Sequence, residues 1–328
     1  MGGVAGDGSQ QQGTAGQVKR RQGAKVKRVP VTSVRILSPA KINLFLEVLG
    51  KRRDGYHEIK TVLQAIDLWD ELTVHRSSHG ILVRSVCQDI PLDNSNLAYQ
   101  AAQLFLRENK IKYGVEIGLV KRIPVSGGLG GGSSNASCTL LAMDMLFGTH
   151  CSTQKLLTWA KKLGSDVPFF IRGEPSLALG RGTEIMSLEA FFSFWVILAG
   201  PVTHGLPSKT AGVYKAVNMG LTGRFSPITL TTAAIETKNL SALSNSLFNR
   251  LESVVLERSP FVREIRDFMK AHGALGVLVS GAGPMVFGIV PDRAHGVELG
   301  KKISRQFGKR VYRVVAKTLA STPAPVEI

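Results

Sequence analysis

Pro124-Val125-Ser126-Gly127-Gly128-Leu129-Gly130-Gly131-Gly132-Ser133-Ser134-Asn135 places five glycines within twelve residues. Upstream, Val115 to Ile123 alternates apolar and polar side chains as a half-buried strand does. Downstream, Ala136 to Phe147 is a helix-like run that stops at Gly148. A strand, a glycine loop and a helix N-terminus in that order make an anion site. Glycines let successive N–H groups turn toward one point with no Cβ in the way, and the helix end adds partial positive charge. Ser133 and Ser134 are candidates to cap the helix and to offer hydroxyls to a phosphate or its metal. A flexible linker would not be flanked so tightly by apolar elements, so the stretch is predicted to bind phosphate.

Two common phosphate loops are excluded. A Walker loop needs a lysine directly after its last glycine, and none follows here. The dinucleotide fingerprint Gly-x-Gly-x-x-Gly, counted from Gly128, ends on Ser133 instead of glycine.

Around this loop, 328 residues are enough for two cores. No stretch approaches the roughly 18 uninterrupted apolar residues of a membrane span. Cys87, Cys138 and Cys151 lack CxxC spacing, so a reducing cytoplasm is the expected setting and a structural zinc site is not expected. The net charge is +17, and residues 1–30 hold six cations against Asp7 alone. That segment is otherwise rich in Gly, Gln and Ala, and it reads as a disordered basic tail without catalytic consequence. The remaining excess is spread along the chain, as on a solvated surface that also attracts polyanionic substrates. Neither a membrane nor nucleic acid is expected as a partner; monomer and homodimer both stand open.

The folded part is predicted to begin near Val31, with strands at Val34–Leu37, Ile42–Leu49, Glu71–Val74 and Ile81–Val86. Lys51-Arg52-Arg53-Asp54-Gly55 carries the turn chemistry of a hairpin. Helical periodicity appears at Asn96–Glu108 and Thr153–Leu163. The pattern restarts with a strand at Phe194–Leu198, helices from Thr210, Ser244 and Pro260, and strands at Gly276–Val279 and Met285–Val290. A helix at Asp292–Gln306 and a strand at Arg310–Val315 complete it. Alternating β and α elements with hairpins predict a two-domain α+β protein dividing near residues 185–195.

Four further segments could carry chemistry. In Ser38-Pro39-Ala40-Lys41-Ile42-Asn43-Leu44, Lys41 and Asn43 share one strand face, which by itself reads as solvated. Gly55-Tyr56-His57 could hold a flat ring, or be a packed tyrosine beside an exposed histidine. Asp166, in Gly164-Ser165-Asp166-Val167-Pro168-Phe169-Phe170, could cap the next turn or act as a base in a cleft. Ser280-Gly281-Ala282-Gly283-Pro284 is either a tight β connection or a place of close backbone approach to a ligand.

Taken together, the glycine block, the early Pro-Ala-Lys-x-Asn and the late Gly-x-Gly-Pro resemble the GHMP small-molecule kinases over roughly Ser33 to Val315. Arg53-Asp54-Gly55-Tyr56-His57-Glu58 and the Asp166 segment narrow the resemblance to members acting on a cytidine-diphosphate substrate in non-mevalonate isoprenoid synthesis. The resemblance implies a ribosomal-protein-S5-like N-terminal domain over residues 31–190, a ferredoxin-like C-terminal domain over 191–318 and a flexible C-terminus over 319–328. It implies ATP as phosphoryl donor with Mg²⁺, Asp166 as the base and Lys41 as its partner. Pro124, Gly127, Gly128, Leu129, Gly130, Gly131, Gly132, Ser133, Ser134 and Asn135 would hold the triphosphate, Asn96 the adenosine side, and Ser133 or Ser134 the metal. Asn43, Tyr56, His57, Thr210, Tyr214, Gly281 and Gly283 would hold the substrate, with Tyr56 and Tyr214 on opposite faces of the cytosine. A GHMP kinase with a sugar, homoserine or mevalonate-type substrate and a non-catalytic polyanion-binding relative are the rival readings. Two positions depart from the family pattern, Arg250 for Asp and Ala282 for Ser.

Overall fold

The structure, a computed structural model, describes residues 1–6, 31–202, 210–217 and 228–328, with 210 and 211 described by backbone alone. Residues 1–30 form one unit and residues 31–328 another, compact one. Most of the basic tail lies outside the described residues.

The compact unit opens with β1 (Ser33–Lys51) and β2 (His57–Ser77), a long antiparallel hairpin closed by the Lys51–Gly55 turn. Then follow β3 (Ile81–Ser85), α1 (Leu97–Glu108), β4 (Gly114–Val120), α2 (Gly131–Phe147) and α3 (Thr153–Leu163). A 3-10 turn at Pro168–Ile171 leads into β5 (Ser176–Leu179) and β6 (Glu184–Ser187). The sequence periodicity broke β1 into two strands and saw only a few residues of β2. Both strands kink instead of ending, through register shifts at Pro39/Ala40, Asn43/Phe45 and Val48/Gly50.

Next come β7 (Trp195–Pro201), α4 (Thr210–Lys215), α5 (Ile228–Glu236), α6 (Leu240–Asn245) and β8 (Phe248–Asn249). They are followed by α7 (Glu252–Arg258), α8 (Pro260–Ala271), β9 (Gly276–Val279), β10 (Val286–Val290), α9 (Arg293–Phe307), β11 (Val311–Lys317) and β12 (Val326–Glu327). The helix expected to start at Ser244 runs Leu240–Asn245 instead, because Asn239 caps its start by accepting from Ala242 N at 2.9 Å. α5 and α7 went unseen in the sequence.

Two sheets result. The first runs β12-β1-β2-β4-β3, with β5 on β2, β6 on β5 and β8 on β1. The second runs β11-β7-β10-β9. The apolar face of β1, with Ala40, Ile42, Leu44 and Phe45, shares one buried cluster with Val196, Leu198, Phe287 and Ile289 of the second sheet. At about 25 cal/mol per Å² of apolar surface removed from water, such a shared core gives neither sheet a reason to part from the other. A second cluster packs α1, α2 and α3 on the opposite side of the first sheet.

Residues 319–328, expected as a flexible C-terminus, return to the first sheet. Leu319 N donates to Ala65 O at 2.9 Å, Thr322 Oγ1 to Phe170 O at 2.9 Å and Ile328 N to Ser33 O at 3.2 Å. β12 pairs with the outer edge of β1, so the segment satisfies an edge that composition could not reveal.

Candidate active site

α2 begins at Gly131, five residues before the run that periodicity marks, because glycine carries no apolar signal. Its N-cap is Gly130 at φ +72°, and no side chain caps it, so neither serine does. Instead the helix start presents first-turn N–H groups that have no partner within the helix. The two serines diverge. Ser133 lines the cleft, whereas Ser134 is fully buried and its hydroxyl accepts from Ser38 Oγ at 2.8 Å.

The loop's carbonyls, which would repel a phosphate, are taken up by the protein. Gly127 O accepts from Met285 N at 3.2 Å, and Leu129 O accepts from Lys41 N at 2.9 Å. Gly128 O accepts from Lys41 Nζ at 2.9 Å and from Ser280 Oγ at 3.0 Å. Gly128 sits at φ +79°, and a Cβ there would lie 2.2 Å from Ser280 O. Gly128→Ala is therefore expected to destabilise the protein by more than the roughly 1–2 kcal/mol that the left-handed backbone alone costs a non-glycine residue. It should raise the KM for ATP as well. Denaturant unfolding and initial-rate kinetics check this; an unchanged midpoint with unchanged KM would refute the close packing.

Lys41 and Asn43 share a face of β1, but that face is buried rather than solvated: they are 4% and 2% exposed. It packs under the glycine loop. Lys41 Nζ donates to Asn43 Oδ1 at 2.6 Å and stands 3.8 Å from Asp166 Oδ2. Asn43 Nδ2 donates to Thr61 Oγ1 at 2.8 Å, and that hydroxyl donates to Phe45 O at 2.6 Å. Burial pulls the Lys41 ammonium below the usual lysine range, and the Asp166 carboxylate opposes that pull. Asp166 follows the end of α3 just before the 3-10 turn, with its side chain about a third exposed to the cleft. One buried cation thus ties the glycine loop, the β1 asparagine and the carboxylate together.

A second carboxylate, this one buried and unmarked by any sequence motif, sits below the loop. Asp70 on β2 is fully buried; its Oδ1 accepts from Arg122 N at 2.8 Å and Ile123 N at 2.9 Å. Its Oδ2 accepts from Lys121 Nζ and from Asn135 Nδ2, the latter at 3.0 Å. Asn135 is thereby a structural member: it locks α2 to the end of β4 and aligns the chain entering Pro124. Every donor here offsets the desolvation of that carboxylate.

At the other end of the cleft stand Tyr56 and His57. Tyr56 is half exposed, its N–H bonded to Asp54 Oδ1 at 3.1 Å. Tyr214 lines the same cleft as Tyr56. Its ring packs on His57, with centroids 5.2 Å apart, and the guanidinium of Arg181 lies over Tyr56 at 5.0 Å. A spacing of 5.2 Å leaves no room for a flat ring between His57 and Tyr214. Partial burial, then Lys51, holds the His57 imidazole below its usual range, which favours the neutral ring. The Thr210 side chain lies outside the described residues. Gly281 lines the cleft at φ +55°, whereas Gly283 faces Val255 and Val279 of α7 and β9, away from it. Asn249, whose Nδ2 donates to Val279 O and Gly281 O, both at 2.8 Å, holds that turn. Asn96 lines the cleft too, with its amide committed to α1: Oδ1 accepts from Ala98 N and Nδ2 donates to Pro91 O.

A single cavity of about 1400 Å³ joins these parts, from Asn96 and the glycine loop past Lys41 and Asp166 to Tyr56 and Arg181. It is large enough for two phosphate-bearing ligands placed end to end.

The chain matches the model of the GHMP kinases N terminal domain over residues 96–174 and that of the GHMP kinases C terminal domain over residues 231–309. It is 40% identical over 281 residues to the 4-diphosphocytidyl-2-C-methyl-D-erythritol kinase of a Synechococcus species, covering 83% of this chain and 90% of that protein. The protein of that name from Syntrophus aciditrophicus is 39% identical over 272 residues, covering 82% and 95%. A crystal structure of 4-(cytidine 5'-diphospho)-2C-methyl-D-erythritol kinase aligns with a TM-score of 0.72 at 34% identity, covering 86% of this chain and 98% of that one.

Proposed function

This chain belongs to the GHMP kinases, and from that premise we propose that it uses ATP to phosphorylate the 2-hydroxyl of 4-diphosphocytidyl-2-C-methyl-D-erythritol, a step of non-mevalonate isoprenoid synthesis. The observation that carries the reading is the one cavity with a phosphate-holding loop at one end, an aromatic pair at the other and the Lys41–Asp166 pair between them.

In this reaction Asp166 accepts the proton as the substrate O–H bond breaks and the oxygen attacks the γ-phosphorus. The bond from that phosphorus to the β,γ-bridging oxygen breaks, and ADP leaves. Lys41 faces Asp166 at 3.8 Å, and its charge offsets the negative charge that builds on the transferring oxygens. The free N–H groups at the start of α2 hold the triphosphate, so the glycine block binds the donor. Asn96 borders the adenosine end. Among the described residues no group of three His, Cys, Asp or Glu side chains could hold a metal ion. Mg²⁺ keeps several waters and enters on substrate phosphates, and the Ser133 hydroxyl, which lines the cleft, would be its protein contact. When bound, it would neutralise phosphate charge at the transferring group.

Tyr56 offers its ring face to the cytosine, His57 its polar edge, and Asn43 and Gly281 border the acceptor between them and Asp166. Tyr214, packed on His57 and lining the same cavity, closes the sandwich on the cytosine from the side opposite Tyr56.

The test is ADP release dependent on the cytidine-diphosphate substrate. Its absence from the wild-type enzyme would sink the reading. In the same assay Tyr56→Ala should raise the KM for that substrate about 10- to 100-fold, the worth of one base–aromatic stack, with the KM for ATP unchanged. An unmoved substrate KM would remove the stacking role.

A further inference from the structure

Arg181 belongs to no sequence motif used so far, yet its place in the cleft is tightly set. It stands at the tip of the turn between β5 and β6, between Gly180 at φ +69° and Gly182 at φ +95°. Gly180 O accepts from Ile59 N at 2.7 Å, which ties the tip to β2 two residues after His57. On its other side a Cβ at Gly182 would lie 3.7 Å from the Cβ of Ser165, the neighbour of Asp166. The guanidinium lies 5.0 Å from the Tyr56 ring centre, and one of its terminal nitrogens donates to Lys161 O at 2.6 Å. Arg181 therefore bridges the ring-recognition end of the cleft and the catalytic turn.

The substrate's covalent order decides what that interval must hold. Cytosine and ribose come first, then the diphosphate, then the erythritol with its reacting hydroxyl. With the ring at Tyr56 and the hydroxyl at Asp166, the diphosphate falls between them, where Arg181 is anchored. Left unpaired there, two phosphates would face the carboxylates of Asp54 and Asp166, which line the same cavity. Lys41 is buried and already committed to Asn43 and Gly128. Guanidinium is suited to the task, because its planar fork pairs two phosphate oxygens at once and is weakly hydrated. Resting on an aromatic face is a favourable but modest parking place for it, surrendered readily to a doubly charged ligand.

We propose that Arg181 is the diphosphate-binding residue of the acceptor site, resting on Tyr56 when the site is free and pairing with the substrate's diphosphate when cytosine takes the ring. This rests on the acceptor assignment made above.

The experiment measures cytidine and CDP as competitive inhibitors against the cytidine-diphosphate substrate, in wild type, Arg181→Gln, Arg181→Lys and Lys215→Gln. Lys215, at the end of α4, is a further cation lining the cleft among the described residues. Wild type should bind CDP more tightly than cytidine. Arg181→Gln should weaken CDP by about 10- to 100-fold, the worth of hydrogen bonds to a charged group, and leave cytidine within about threefold. Arg181→Lys should recover part of that loss. Equal weakening of CDP and cytidine would overturn the proposal by placing Arg181 in support of the Tyr56 ring alone. It would equally be overturned by undiminished CDP binding in Arg181→Gln, or by a loss confined to Lys215→Gln. A wild type that bound neither inhibitor would instead overturn the acceptor assignment, and this inference with it.

Discussion

Asp166→Asn is expected to lower kcat about 10²- to 10⁴-fold, the usual worth of a positioned base, while leaving both KM values within a small factor. Asparagine keeps the shape and size of the side chain but cannot take up a proton at neutral pH. Asp166 stands 3.8 Å from Lys41, beyond hydrogen-bond reach, and it is about a third exposed, so the fold does not depend on its charge. The loss should therefore appear in turnover and not in unfolding. The measurement is steady-state ADP release beside denaturant unfolding of the same variant. Full turnover in Asp166→Asn would remove the base assignment; the 3-10 turn is capped by Val167 without a side-chain bond, so no capping role explains the residue instead. The residual rate should still exceed the uncatalysed one, because the loop and Lys41 continue to position the phosphates and neutralise their charge.

Lys41→Met is expected to cost more than the base, in two currencies. Methionine fills most of the same volume, but Gly128 O loses its Lys41 donor and Asn43 Oδ1 loses its partner. Gly128 O keeps Ser280 Oγ, but a buried acceptor left unmatched, as Asn43 Oδ1 would be, costs about 1–3 kcal/mol, so stability should fall measurably. Turnover should fall at least as far as in Asp166→Asn, since the cation facing both the carboxylate and the transferring phosphate is gone. The KM for ATP should also rise, because Gly128 is held in place partly by that lysine. Kinetics and unfolding together decide this: a stable variant with wild-type KM for ATP would mean Lys41 does not order the loop. Burial lowers the Lys41 pKa, so the ammonium is lost earlier on the alkaline side than an exposed lysine would be. Activity should accordingly fall at a lower alkaline pH than ordinary lysine titration would give.

The glycine block, the Lys41–Asn43 alternation and the Gly164–Phe170 segment were legible because each is local: composition and spacing within ten residues declare them. The glycine loop could be named as an anion site from its flanks alone. What those residues face could not be read. The strand face of Lys41 and Asn43 looks solvated in sequence and proves buried, since its cover comes from a loop more than eighty residues away. Asp70, Lys121 and Thr61 carry no motif; their meaning lies in partners supplied by other strands. Ser133 and Ser134, adjacent and alike, part company only when α2 starts at Gly131 and turns one hydroxyl toward the cleft and the other into the interior.

The family, the proposed phosphate loop and the candidate base are thus properties of the chain as a string, because short motifs encode backbone freedom and chemical type directly. The pairing of Lys41 with Asp166, the packing of Tyr214 on His57 and the placing of Arg181 over Tyr56 are properties of the folded protein alone. Each depends on strand register and helix packing that bring distant residues within a few ångströms, and no local pattern carries that information.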